Sequence, residues 1–299
     1  MSDDYHSYKH QCVRDLAWAL GSAPLMQPAV RGCQWFDHDW YRSIAEEAEP
    51  WLRRIDRDPE ELAALVAAEK DKRLGRYFEL LWTYWFEYSR HYDIVASNLQ
   101  LTRQGRTLGE LDLVIHEHES GRNIHIELAV KFYLGVGDTC QASSWHGPGK
   151  RDRLDIKMDA LLERQSVLTR DAAVSDMRAQ SGITVDACAV IMKGRLFYPL
   201  MQAAECATPT GSHPAHQRGI WVPFSQIDKL EDLDYIPQIK RGWMAGGAPE
   251  PDLKALSRHD IVEAVHLGEL RLPLYLTGHR KAEPISRVFV VPEDWSTTL

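Results

Sequence analysis

At 299 residues, with 44% hydrophobic and 26% charged side chains, the chain has the make-up of an ordinary globular protein, long enough for one large domain or two small ones. Its 43 acidic and 35 basic residues give a net charge of -8, which counts against a general DNA-coating role but leaves room for an enzyme with a local basic groove. An apolar run of about 18 residues, as a membrane-spanning helix needs, is missing. Met1 to His6 lacks the pattern of a secretion signal, and the five scattered cysteines form no C-x-x-C pair. The expected setting is therefore the cytoplasm, with reduced thiols and no membrane partner.

Residues 1 to about 70 read as helical. Cys12 to Leu20 is apolar and stops at Gly21-Ser22-Ala23-Pro24, and Asp58-Pro59-Glu60-Glu61 is a helix start with an acidic first turn. Leu74 to Ser89 is a second, very aromatic helix containing Tyr77, Phe78, Trp82, Tyr84, Trp85, Phe86 and Tyr88, apolar nearly all round and so expected to be buried as core. The period then switches to two. Tyr92–Leu101, Glu110–His116 and Ile124–Leu134 read as strands, with turns at Gln104-Gly105-Arg106 and Glu119–Asn123. A Gly147-Pro148-Gly149 loop precedes a helix from about Arg153 to Arg164, and Val185–Met192 is a further apolar strand. Residues 199 to 218, with Pro199, Pro209, Gly211 and Pro214, read as an exposed loop. Late strands are expected near Gly219–Phe224, Leu274–Leu276 and Val288–Val291, with a helix near Asp260 to His266. This order predicts a mixed α/β sheet flanked by helices: a helical extension over 1–70, a core over 71–198 and an α/β extension over 199–299, packed on that core.

Four charged positions concentrate the chemistry. Strand alternation puts Glu110 and Asp112 on one face of the second strand, with Leu111, Leu113 and Ile115 on the other. Glu127 and Lys131 lie an even step apart on the third strand and share a face, separated by the small Ala129. If these strands pair around the hairpin, the two carboxylates meet across the ladder, where like charges repel by about 0.2–1 kcal/mol. A hard cation would relieve that repulsion. Mg²⁺ (or Mn²⁺) takes oxygen ligands, commonly one or two carboxylates plus water and substrate phosphate. Ala129 would leave it room.

Gly109-Glu110-Leu111-Asp112, followed by a strand bearing Glu127 and Lys131, resembles the PD-(D/E)XK phosphodiesterase superfamily, whose Holliday-junction resolvase branch shows Gly-Glu-Ile-Asp and then Glu-x-Lys. Over residues 73 to 165 the resemblance implies a restriction-endonuclease-like mixed sheet core. Asp112 and Glu127 would be metal ligands, Lys131 would orient the attacking water, Glu79 on the preceding helix would complete the shell, and Glu110 would be a further acid. Here the Lys follows Glu127 by four residues instead of the superfamily's two, so it must reach back about 6.6 Å along the strand. On the helix after the third strand Asp155, Lys157 and Gln165 are candidates, Lys157 foremost. Over most of the chain, Gly109-Glu110-Leu111-Asp112 and His125–Gly135 resemble domain-of-unknown-function family 1853, bacterial proteins grouped with that superfamily.

Lys150, Arg151, Arg153 and Lys157 form a basic cluster that would grip a phosphate backbone, diluted by Asp152, Asp155 and Asp159. Gly147-Pro148-Gly149-Lys150 is not a P-loop, since Ser144 and Arg151 stand where that motif needs Gly and Ser or Thr. His116, His118 and His125 read as surface histidines near a hairpin tip. Two readings result: a Mg²⁺- or Mn²⁺-dependent DNA endonuclease or nuclease-like phosphodiesterase, and an inactive nuclease-fold protein binding nucleic acid or a protein partner. Many related resolvases act as dimers, so a homodimer accompanies the first.

Overall fold

A computed structural model of the chain describes residues 4–27, 34–103, 106–168, 182–202, 206–246, 255–280 and 283–297. The expected turn at 104–106 and Cys33 fall wholly or partly outside them. Four helices open the chain: α1 (Gln11–Gly21), α2 (His38–Arg57), α3 (Glu60–Ala68) and α4 (Leu74–Tyr88). Asp37 caps α2 by accepting the Trp40 N–H at 2.8 Å. The aromatic helix is buried as its composition demands: Tyr77, Phe78, Trp82, Tyr84, Trp85 and Phe86 are all inside, and only Tyr88 among its aromatics is exposed. Buried Asp15 ties α1 to α4 and to a distant loop, accepting from the Tyr77 hydroxyl at 3.0 Å and the Ala245 N–H at 3.1 Å. Loss of solvent pushes its carboxyl up to about 6.

The strands are β1 (Gln34–Trp35), β2 (Tyr92–Arg103), β3 (Arg106–Glu117), β4 (Arg122–Gly135), β5 (Trp145–His146), β6 (Ala187–Pro199), β7 (Gln217–Pro223), β8 (Asp234–Gln238), β9 (Leu274–Arg280) and β10 (Glu283–Val291). They build one ten-stranded sheet in the order β2-β3-β4-β6-β7-β10-β9-β8, with β1 paired to β6 and β5 to β4. The meander β2-β3-β4 is antiparallel, whereas β6 runs parallel to β4, β7 to β6 and β10 to β7. Helix α5 (Leu154–Leu168) lies between β4 and β6 in the chain, as a parallel crossover requires. The molecule is thus a mixed α/β fold about a large central sheet.

Strand β4 is covered on both faces, which is why its inner stretch is buried almost without interruption. Ile126, Leu128, Val130 and Phe132 join the core under the N-terminal helices. Ala129 and Tyr133 pack with Leu154, Met158 and Leu161 of α5.

Three expectations need correction. The strand read as Val185–Met192 continues to Pro199, because the polar side chains after Met192 find partners inside the protein. Lys193 stands 3.3 Å from the centre of the Tyr41 ring and donates to the Ser22 carbonyl, while Arg195 donates to the Tyr275 hydroxyl at 2.8 Å and to Gln217 at 2.6 Å. Between Pro199 and Arg218, read as an exposed loop, His213 and His216 are buried, and His216 Nε2 lies 3.0 Å from the Tyr198 hydroxyl. Nor are the hairpin histidines all on the surface: His116 is half-buried beside Asn123 and His118 is exposed beside Asp93, but His125 is buried. The pairs β1 and β5 and the strand β8 are too short or too polar to show a period.

Candidate metal and phosphate site

The register of the β3–β4 hairpin decides whether the acids meet. Pairing runs from Glu117↔Arg122 to Leu113↔Ile126, and continuing it by one residue sets Asp112 opposite Glu127. The ladder stops one step short of them. Instead, the Asp112 carboxylate takes a rung of its own, its Oδ2 accepting the Leu128 N–H at 2.9 Å. Where β3 parts from β4, a side chain thus replaces a backbone acceptor, close enough to Glu127 to feel its charge.

The spot is poor in water. Glu127 is 4% exposed and Asp112 partly buried. Burial first, then the neighbouring Glu127 charge, push the Asp112 carboxyl up to about 7, against the opposing pull of the Leu128 N–H and Lys157. Burial first, then the Glu127 charge, raise the Cys188 thiol to about 11. Two carboxylates held close and dry are what a hard cation needs as protein ligands. Among the described residues, no cluster of three or more His, Cys, Asp or Glu side chains is arranged to hold a metal. A cation here would therefore complete its shell with water and substrate oxygen.

The ammonium nearest Glu127 comes from a helix. Leu154, Met158 and Leu161 seat α5 on Ala129 and Tyr133, and this packing swings Lys157 over the sheet to lie 3.4 Å from Glu127 Oε1. Ala129 therefore fills its space with helix and leaves no gap for an ion. Lys131 does share the Glu127 face, but its ammonium points the other way, 2.5 Å from Asp152, which also accepts from the Tyr133 hydroxyl at 3.2 Å. The Lys of the third strand and the acid after the Gly147-Pro148-Gly149 loop are partners.

Glu79 on α4 is close enough to help raise the Asp112 carboxyl. Its own carboxyl is raised by burial, opposed by Arg76, and raised further by Glu110. Arg76 Nη1 sits 2.6 Å from Glu79, and the same group donates to Asn98. The sequence reading missed Arg76, although its spacing of three from Glu79 on a helix is the available signal. Glu110 is exposed and pairs with Gln100 of β2.

The basic cluster divides. Lys157 belongs to the acid pair, Arg153 is clamped by Asp155 at 2.6 and 2.9 Å, and Arg151 is exposed. Lys150 takes a left-handed backbone (φ 66°) where the loop turns. The side chain of Gln165 lies outside the described residues.

A family model described as Domain of unknown function (DUF1853) matches residues 14–291. No curated protein and no solved structure matches the chain. Among the described residues no helix is long and apolar enough to cross a membrane.

Proposed function

This chain belongs to the DUF1853 family, and from its carboxylate pair we propose that it is a metal-dependent nuclease or nuclease-like phosphodiesterase acting on DNA. One observation carries the reading: two low-exposure carboxylates, Asp112 and Glu127, lie close together where a strand ladder ends, with a lysine beside Glu127. As structure alone that arrangement is unfavourable, since it raises the Asp112 carboxyl to about 7. The order helix, three antiparallel strands, helix, then a strand parallel to the third supports a PD-(D/E)XK, restriction-endonuclease-like core.

Asp112 and Glu127 would hold Mg²⁺ or Mn²⁺. Bound there, such an ion lowers the pKa of a coordinated water and neutralises phosphate charge. The remaining work falls to this chain's own groups. Asp112 is aimed by the Leu128 N–H, so its free oxygen faces the site. Lys157 neutralises Glu127 before substrate arrives and is free to turn its ammonium toward a phosphate oxygen or the attacking water. Lys131, engaged by Asp152, is left to a substrate-binding role. Glu79, oriented by Arg76, would hold a water at the rim.

The second reading is a non-catalytic nucleic-acid-binding protein, favoured by the diversion of Lys131 to Asp152. Cleavage of plasmid, single-stranded and branched DNA in Mg²⁺ or Mn²⁺ separates the two. We expect cutting that disappears by at least about 10²-fold in Asp112→Asn, Glu127→Gln and Lys157→Ala, and that persists within a few-fold in Lys131→Ala. Cutting that survives the two acid variants would assign it to another site or a contaminant. Absence of cutting, together with no heat on calorimetric Mn²⁺ titration, would leave the non-catalytic reading.

A further inference from the structure

Beyond the acid pair, β4 runs without a β3 partner from Leu128 to Phe132 among the described residues. Because the Leu128 N–H points to the β3 side, strand alternation turns the N–H groups of Val130 and Phe132 to that same open edge. A cleft of about 540 Å³ lies along it. Arg73, Lys131, Arg151 and Lys240 line this cleft, against a single carboxylate, Asp152. In a chain of net charge -8 that is a local reversal of sign.

The cations are not equally committed. Arg73 is held by Asp71 and Lys131 by Asp152, both at 2.5 Å. Arg151 and Lys240 are exposed and have no carboxylate partner among the described residues. Phe132 and Trp243 supply an apolar wall beside them. Cations spread along a groove, with aromatic rings beside an edge of β4 that β3 leaves, suit a phosphodiester chain better than a lone anion, which two or three donors would satisfy. They suit a peptide strand less well, because strand addition uses backbone donors and pockets and has no call for four cations.

We propose that this cleft binds the sugar–phosphate backbone of a single nucleic-acid strand, and that the phosphate it grips is not the one beside Asp112 and Glu127. Lys131 follows Glu127 by four residues, so about 13 Å of β4 separates the two positions. A strand lying along the open edge spans both. The inference rests on the nuclease reading only for the class of molecule bound, not for the chemistry at the acid pair.

The test is binding without metal. Fluorescence anisotropy of a labelled 12-nucleotide single-stranded DNA, in EDTA, compares the wild-type chain with Arg151→Glu/Lys240→Glu. A matched pair, Arg57→Glu/Lys229→Glu, applies the same change in net charge at exposed positions outside the cleft. The expected result is an affinity at least tenfold weaker in the cleft pair only. The slope of log K against log salt should also be shallower by about 1.4, for two lost phosphate contacts. Inorganic phosphate serves as competitor: displacement of the oligonucleotide only at far higher concentration supports a strand, whereas cleft-dependent phosphate binding with cleft-independent oligonucleotide binding overturns it in favour of a small-anion site. Equal weakening in both pairs, or in neither, also overturns it. Because no cutting is measured, loss of the cleft leaves the Asp112–Glu127 reading standing, and loss of cutting in Asp112→Asn leaves the cleft standing.

Discussion

Replacing Asp112 by Asn should make the metal-free protein more stable, not less. The substitution keeps the side chain's size and an oxygen to accept the Leu128 N–H, 2.9 Å from Asp112 Oδ2 in the native protein, and removes a carboxyl that burial and Glu127 hold at about 7 instead of 3.8. At about 1.36 kcal/mol per pKa unit the full displacement corresponds to on the order of 4 kcal/mol, and screening by the water that reaches this partly exposed group reduces it to about 2 kcal/mol. The direction with pH follows from the raised folded value. Below about 4 the carboxyl is protonated in both folded and unfolded chains, and no penalty exists. Between about 4 and 7 the unfolded chain releases the proton while the folded one retains it, so wild-type stability falls and then levels off. Thermal melts in EDTA from pH 4.5 to 8.5 should show an Asp112→Asn advantage that grows with pH, to about 4 °C or more above pH 7. Added Mn²⁺ should raise the wild-type midpoint and leave the variant unmoved. An advantage independent of pH, or a variant less stable at pH 8.5, would refute the crowding of Asp112 by Glu127.

Lys157→Met strips the nearby ammonium from a Glu127 that is 4% exposed, and urea unfolding should show a loss of about 2–3 kcal/mol; Lys131→Met, breaking a half-exposed pair with Asp152, should lose less than about 1 kcal/mol. Gly194→Ala puts a Cβ 1.7 Å from the Lys131 carbonyl oxygen at φ +146°, so the β4–β6 ladder must break there, with soluble yield or melting temperature collapsing. A Gly194→Ala protein that melts like wild type would contradict that register. Lys193 is wholly buried, and burial holds its ammonium well below the ordinary range. The unfolded chain therefore binds the extra proton, and wild-type stability should rise with pH toward about 10. Lys193→Met should flatten that rise, and denaturant titrations at pH 7 and 9.5 would show it.

The strand meander was legible, and with it the nearness of Asp112 to Glu127, because period-two alternation and one short hairpin bring these stretches of β3 and β4 together. What could not be read was anything set by a helix placed over the sheet. Nothing local to Ala129 says that Leu154, Met158 and Leu161 will cover it, yet that packing delivers Lys157 to Glu127 and sends Lys131 toward Asp152. The end of β6 was misjudged for a related reason. Lys193 and Arg195 look like a strand leaving the core, and only the distant Tyr41, Ser22, Tyr275 and Gln217 make their burial tolerable. The basic cleft was equally hidden, since Arg73, Arg151 and Lys240 come together only through the tertiary fold.

Because β7 and β10 continue the sheet directly from β6, trimming the chain to residues 71–198 has a foreseeable outcome. A fragment ending near Pro199 would bare the edge of β6 from Arg195 to Pro199, where β7 pairs in the intact protein. Such an edge is an open invitation to cross-chain strand pairing and insolubility. It would also forfeit the Trp295 indole N–H that donates to the Pro148 carbonyl at 2.8 Å, loosening the loop that borders the cleft. Attempts to isolate the portion that carries Asp112 and Glu127 should therefore retain the C-terminal strands.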